Sequence, residues 1–257
     1  MILTANSDTA KKARRAITLS GGQAGWETAH IGPRRAAPGT ETYPSPQAFV
    51  IEMSPQSIVR PHFHDHDQFQ VFVSGNCTVG RHPVQALSVH YANRQTGYGP
   101  ITAGNDGVAY FVLRQVADAG ASFLPGAKDL QDRLAPKLQI ISDPIGSCVG
   151  AVLQELSEAT TLVLIEPKED GLAAWILRVP PGESAASPVS ASGTGRFFIV
   201  TSGTMVVAGD QLPALSPVFA SHDEQTFDIQ AGSTGLEVMV LQFPGGMRVH
   251  GRLPKSA

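Results

Sequence analysis

The residue types best suited to chemistry in this 257-residue chain gather in one short stretch. The run Arg60-Pro-His62-Phe-His64-Asp-His66-Asp-Gln68 leads straight into the apolar segment Phe69-Gln-Val-Phe-Val-Ser-Gly75. Side chains alternate along a strand, so His62 and His64 share one face, with Gln68 in phase while the chain stays extended. Two imidazoles at i and i+2 are suitably spaced to share a divalent ion. An amide oxygen four residues further on can close one side of the shell. The same residues could instead form a solvated hairpin tip. An inward histidine pair without metal would need other hydrogen-bond partners.

The elements that must position this cluster announce themselves by repetition. Gln68-Phe-Gln-Val-Phe-Val-Ser-Gly75 aligns with Arg196-Phe-Phe-Ile-Val-Thr-Ser-Gly203, the glycines lying 203 − 75 = 128 positions apart. Ile101-Thr-Ala-Gly-Asn-Asp-Gly107 aligns with Ile229-Gln-Ala-Gly-Ser-Thr-Gly235 at the same offset, and Ala86-Leu-Ser88 with Ala214-Leu-Ser216. Residues 68–113 and their partners share 14 identities in 46 ungapped positions. Each copy reads as short apolar strands broken by Ser-Gly, Ser-Pro, Pro-Pro and Ala-Gly-x-x-Gly turns, the pattern of a sandwich or barrel. Ala48–Met53 and Ala173–Val179 supply a further strand to each copy. The fold class is all-β, with two tandem barrels. The expected boundaries are an N-terminal arm and lead-in strand (1–39), a first barrel (40–118), a linker with a short helix at Ala127–Leu134 (119–154), a second barrel (155–247) and a tail (248–257).

Composition agrees with a globular chain: 42% hydrophobic and 16% charged residues, with 26 glycines and 19 prolines for turns. A net charge of -3 gives no electrostatic reason to expect nucleic acid. The basic cluster Lys11, Lys12, Arg14 and Arg15 is followed by no apolar core of a signal peptide, so residues 1–20 read as a flexible arm. No apolar stretch reaches the roughly 18–20 residues of a membrane span. Cys77 and Cys148 lack metal-knuckle spacing and read as free thiols of a cytoplasmic protein. No Gly-x-Ser-x-Gly elbow or phosphate-binding loop is present.

The spacing His62-x-His64-x3-Gln68-x6-Gly75 resembles the first cupin motif, with glutamine in the glutamate place. Together with the repeat it suggests a bicupin over about residues 40–247. The resemblance implies one divalent transition metal (Fe, Mn, Ni, Zn or Cu) held by His62, His64 and Gln68. The second motif, matched at Thr102-Ala-Gly104-x2-Gly107, has glycine where a histidine would complete the shell. His90 is the first substitute, from another strand, and His66 the alternative. Arg60, Arg94 and Tyr98 are the candidates to hold a carboxylate or enolate substrate beside the metal, since a guanidinium fork pairs both oxygens. In the second copy Ser190, Ser192, Arg196 and Val218 stand at the places of His62, His64, Gln68 and His90, so that barrel is expected to be structural. His222 reads as a surface or packing residue. The implied function is a metal-dependent enzyme acting on a small organic molecule, with a dioxygenase preferred over an isomerase or lyase. A non-catalytic ligand-binding or structural bicupin is the alternative. The expected partners are a small molecule and a second copy in a homodimer, with neither nucleic acid nor membrane.

Overall fold

The computed structural model describes residues 1–33, 35, 44–146, 150–224 and 228–245. Two antiparallel sheets organise it. The first runs in the order Gln139–Ile141, Val89–Ala92, Gln68–Val79, Ile101–Arg114, Gln47–Met53, Ala24–Ile31, Arg15–Thr18. The second runs Ile2–Thr4, Pro217–Ala220, Arg196–Val207, Asp228–Gln242, Ala173–Val179, Thr160–Ile165. The repeat read from sequence is therefore a repeat of strands. Gln68–Val79 and Arg196–Val207 coincide end for end at the offset of 128 residues, as do Val89–Ala92 and Pro217–Ala220.

The repeated glycines have a common cause. Gly75 and Gly203 sit at φ +70° and +74°, and a Cβ on either would lie 2.1 or 2.0 Å from the carbonyl oxygen of Gly107 or Gly235. Only glycine accepts both the left-handed backbone and that approach. Opposite each glycine the sheet is irregular in the same place, with shifts at Ala109/Tyr110 and at Val200/Ser202.

Apolar groups occur in both phases of these strands because each barrel is packed on both sides. Phe69, Val71, Phe197 and Ile199 point outward into one shared core between the barrels, where Phe243 meets Phe69 at a ring-centroid distance of 4.8 Å. The alternate phase fills the barrel interiors: Phe72, Tyr98 and Tyr110 in the first, Phe198, Val218 and Val240 in the second.

Two expectations are corrected. The N-terminal segment is no free arm: Ile2–Thr4 pairs with Val218–Ala220 of the second sheet, and Arg15–Thr18 with Ala24–Glu27 of the first. The Met1 ammonium group donates to Ser221 Oγ at 2.5 Å and Glu224 Oε1 at 2.8 Å. Unpaired edge groups on Pro217–Ala220 recruit this segment, a tertiary demand that its basic sequence does not advertise. The helix expected at Ala127–Leu134 is only a 3-10 turn at Lys128–Leu130, while a short helix forms instead at Gly150–Gln154. Leu134 is 95% exposed, so that stretch has no apolar face to bury against a neighbour. Cys148 and the 248–257 tail lie outside the described residues. Among the described residues no helix is long and apolar enough to cross a membrane.

Candidate functional site

Inside the first barrel, His62, His64, Gln68, Tyr98 and Arg114 line one cavity of about 180 Å³, with Phe49, Ile51 and Val112 among its apolar walls. His62 reaches it from a short strand, His62–Phe63, and exchanges backbone hydrogen bonds with Tyr98, while His64 follows directly after that strand. Gln68 enters at the first residue of its strand. The pairing read from sequence is thus reproduced: both histidines face inward with Gln68, and all three are buried.

Each imidazole is fixed through Nδ1. That of His62 lies 2.8 Å from the Arg60 carbonyl oxygen, and that of His64 lies 3.0 Å from Asp118 Oδ1. Because both neighbours are acceptors, Nδ1 carries the proton and Nε2 keeps its lone pair. Burial keeps both rings neutral. His62 is lowered to about 3, by desolvation first and then by His64, and His64 is lowered by desolvation and by Arg114. Burial alone would raise Asp118, but Arg114, the His64 hydrogen bond and the Gly120 N–H hold it well below the usual carboxylate range. Burial pushes the Tyr98 phenol up.

Arg114 is the residue that sequence reasoning missed. The residue is 3% exposed, and its guanidinium donates from Nη1 to Gln47 Oε1 (2.6 Å) and from Nη2 to Gln68 Oε1 (2.7 Å). Nη2 also lies 3.2 Å from His64 Nδ1 and 3.1 Å from Nε2. An atom equidistant from both ring nitrogens at that range stands over the ring face, since an in-plane position would collide with ring carbons. The cation is therefore stacked on the imidazole. A signal for it existed: Arg114 follows Tyr110 and Val112 in strict alternation, so a strand that sends those two inward sends the arginine inward as well.

The other expected residues divide. Tyr98 lines the cavity, its hydroxyl hydrogen-bonded to Gln68 Nε2 and its ring packed against His62 and His90 at 4.5 and 4.8 Å. Arg60 and Arg94 are not at the cavity. Arg60 is exposed and lies over the Phe123 ring at 4.9 Å, and Arg94 reaches Asp132 at 3.9 Å. His66 is half-buried beside Asp67 and does not line the cavity. His90 is held by Gln70 Oε1 at 2.6 Å, outside the cavity lining.

A resident divalent ion does not fit this donor set. The oxygen of Gln68 is already turned to a cation of the chain itself, and its nitrogen to Tyr98. Among the described residues no three histidine, cysteine or acidic side chains gather as metal ligands, so His90 does not complete a shell with His62 and His64. A divalent ion about 4 Å from the guanidinium would be repelled by roughly 8 kcal/mol at an effective dielectric of about 20. The histidine tautomers alone match what a metal requires.

No family model and no curated protein matches the chain. Solved structures do. A putative dioxygenase from Nostoc punctiforme superposes with a TM-score of 0.62 at 10% identity, covering 100% of this chain and 87% of that one. The bacterial pirin YhhW from Escherichia coli, solved with nickel(II), gives 0.59 at 12% identity over 95% and 100% of the two chains. Oxalate decarboxylase from Bacillus subtilis gives 0.54 at 13% identity over 95% and 76%. The chain has a cupin fold.

The second barrel keeps that cupin frame with a different interior. Phe198, Val218 and Val238 fill the places of Gln70, His90 and Tyr110. Arg196, at the place of Gln68, donates to Ser187 Oγ at 2.9 Å and the Glu224 carbonyl at 2.6 Å. Gln242, at the place of Arg114, ties down the Gly171 and Ser190 carbonyls at 2.9 and 2.8 Å. His222 is exposed, with Nδ1 3.1 Å from the Gly193 carbonyl oxygen.

Proposed function

We propose that this cupin is an enzyme whose N-terminal barrel takes up a small organic molecule and moves a proton on it, with no metal among its catalytic groups. The observation that carries the reading is the setting of His64. Asp118 fixes its tautomer, its ring lines the cavity, and Nε2 is left unprotonated, with Arg114 Nη2 as its neighbour at 3.1 Å. That is the arrangement by which a buried carboxylate orients a general base. His62, fixed in the same tautomer by a backbone carbonyl, is the second proton-transfer group. Tyr98 packs on the His62 ring and closes the wall beside the segment that carries both histidines. The cavity, near 180 Å³, is small, which suits a small organic molecule. The metal-dependent dioxygenase expected from the resemblance is not retained, because Arg114 and Tyr98 engage the Gln68 amide that such an ion would need. The second barrel serves as scaffold, consistent with its apolar interior. Assembly into a homodimer and a cytoplasmic location stay as expectations.

The test is isotope exchange. Pyruvate and hydroxyacetone, which carry acidic C–H bonds, are incubated with the protein in D2O containing EDTA and followed by proton NMR. A base that accepts the C–H proton returns a deuteron, so the substrate signal decays. His64→Asn should slow this by about a hundredfold or more. Saturable binding without exchange would instead favour a ligand-binding cupin with no turnover.

A further inference from the structure

We infer that Arg114 is the built-in cation of this site, standing where a divalent ion would otherwise be held, and that the molecules it selects are small carboxylates. The inference rests on the reading of the N-terminal barrel as a small-molecule site and names the ligand class of that site. Buried guanidinium groups normally meet a carboxylate through their planar fork, two N–H donors against two oxygens. Arg114 does not. Its hydrogen-bonded oxygens both belong to neutral amides, Gln47 Oε1 and Gln68 Oε1, and its Nη2 rests on the face of His64. The nearby acid, Asp118, spends its oxygens elsewhere: Oδ1 accepts from His64 Nδ1 and the Gly120 N–H (2.7 Å), and Oδ2 from the Asp65 N–H (3.2 Å).

One donor is left over. Arg114 Nε is fully buried and has no hydrogen-bond partner. A buried charged group with an idle donor is costly unless something else meets it, and here the same side chain lines a cavity. A carboxylate in that cavity supplies an oxygen acceptor and a negative charge to a guanidinium whose hydrogen-bonded oxygens both belong to neutral amides, beside Asp118 and Glu27, which also line the cavity. The apolar walls at Phe49, Ile51 and Val112 suit a short hydrocarbon body behind that carboxylate. An ion of charge +2 supplies neither, and it would compete with the guanidinium for Gln68 Oε1. Fixed cationic donors of this kind also stabilise an oxyanion that develops during proton abstraction beside a carbonyl.

The experiment compares propionate with its neutral isostere propionamide, in EDTA, by thermal shift and calorimetric titration on the full chain. Nickel(II) titrations without EDTA run in parallel. Propionate should raise Tm by about 5–10 °C at a hundredfold excess over its Kd, and propionamide should not. Arg114→Lys keeps the buried charge and loses the fork, and should weaken propionate at least tenfold. Arg114→His should lose the propionate response and gain about one equivalent of nickel through His62 and His64. Equal responses to propionate and propionamide, or unchanged propionate affinity in Arg114→Lys, would overturn the inference. So would one nickel per wild-type chain that disappears in His62→Ala. Selective propionate binding in a protein that fails the isotope-exchange test leaves this inference standing and removes the catalytic reading.

Discussion

Lowering the pH from 7.5 to 5.0 should destabilise the N-terminal barrel, and two of its buried histidines, His62 and His90, together contribute about 4 kcal/mol of that loss. His62 and His90 are both lowered to about 3, in each case first by desolvation, then by a neighbouring histidine: His64 for His62, His82 for His90. His90 is completely buried, with Nδ1 on Gln70 and Nε2 without any partner. In the unfolded chain both would titrate near 6.5. Between the two values the unfolded state binds more protons than the folded one, so stability rises with pH and is lost as pH falls below about 6.5. At pH 5.0 each histidine has forfeited about 1.5 pK units, or about 2 kcal/mol at 1.36 kcal/mol per unit. Against a typical domain stability of about 5–15 kcal/mol this is a large fraction. The assay is urea unfolding by tryptophan fluorescence in a Trp175→Phe background, which leaves Trp26, on a strand of the first sheet, as sole reporter. With a urea m-value of about 2 kcal/mol/M, the midpoint should fall by about 2 M between the two pH values. His90→Gln should remove about half of that response. A wild-type midpoint that does not move, or a His90→Gln variant that responds as fully as wild type, would refute the reasoning.

The other predictions concern backbone and thiol. Gly75→Ala and Gly203→Ala should each destabilise by several kcal/mol. Both glycines combine a left-handed backbone with a carbonyl oxygen within 2.1 Å of the added carbon, and near-equal losses in denaturant midpoint would check the equivalence of the two barrels. Burial pushes the Cys77 thiol up to about 12, so only about one molecule in ten thousand is a thiolate at pH 8. In a Cys148→Ser background, Ellman's reagent should leave the native protein unlabelled for hours and label it fully in guanidinium chloride. Rapid native labelling would contradict the buried placement.

What could be read in the sequence is what local periodicity and repetition encode. Each half must pack an equivalent set of strands around an equivalent turn, so the offset of 128 residues reappears in the strand boundaries and in the paired glycines. Alternation likewise dictates that His62 and His64 share a face, because a strand has only two. The replacement of histidine and glutamine by serine and arginine in the second copy was equally legible, since it needs only the alignment of the chain with itself.

Tertiary structure decided the partners. Whether Gln68 offers its oxygen to a metal or to a guanidinium depends on Arg114, 46 residues later, which reaches the same cavity from the adjacent strand. The orientation of His64 depends on Asp118, 54 residues away, and the edge of the second barrel is closed by residues 218 positions earlier or so, as at Ile2 and Ala220. Arg60 and Arg94 stand closer to the histidines in sequence, yet their charges stay at the surface with Phe123 and Asp132. Sequence proximity sets only the face on which a side chain emerges. Which charge meets which donor is set by strand pairing across the sheet, and in a low-dielectric interior that meeting determines whether a pair of histidines holds a metal or a proton.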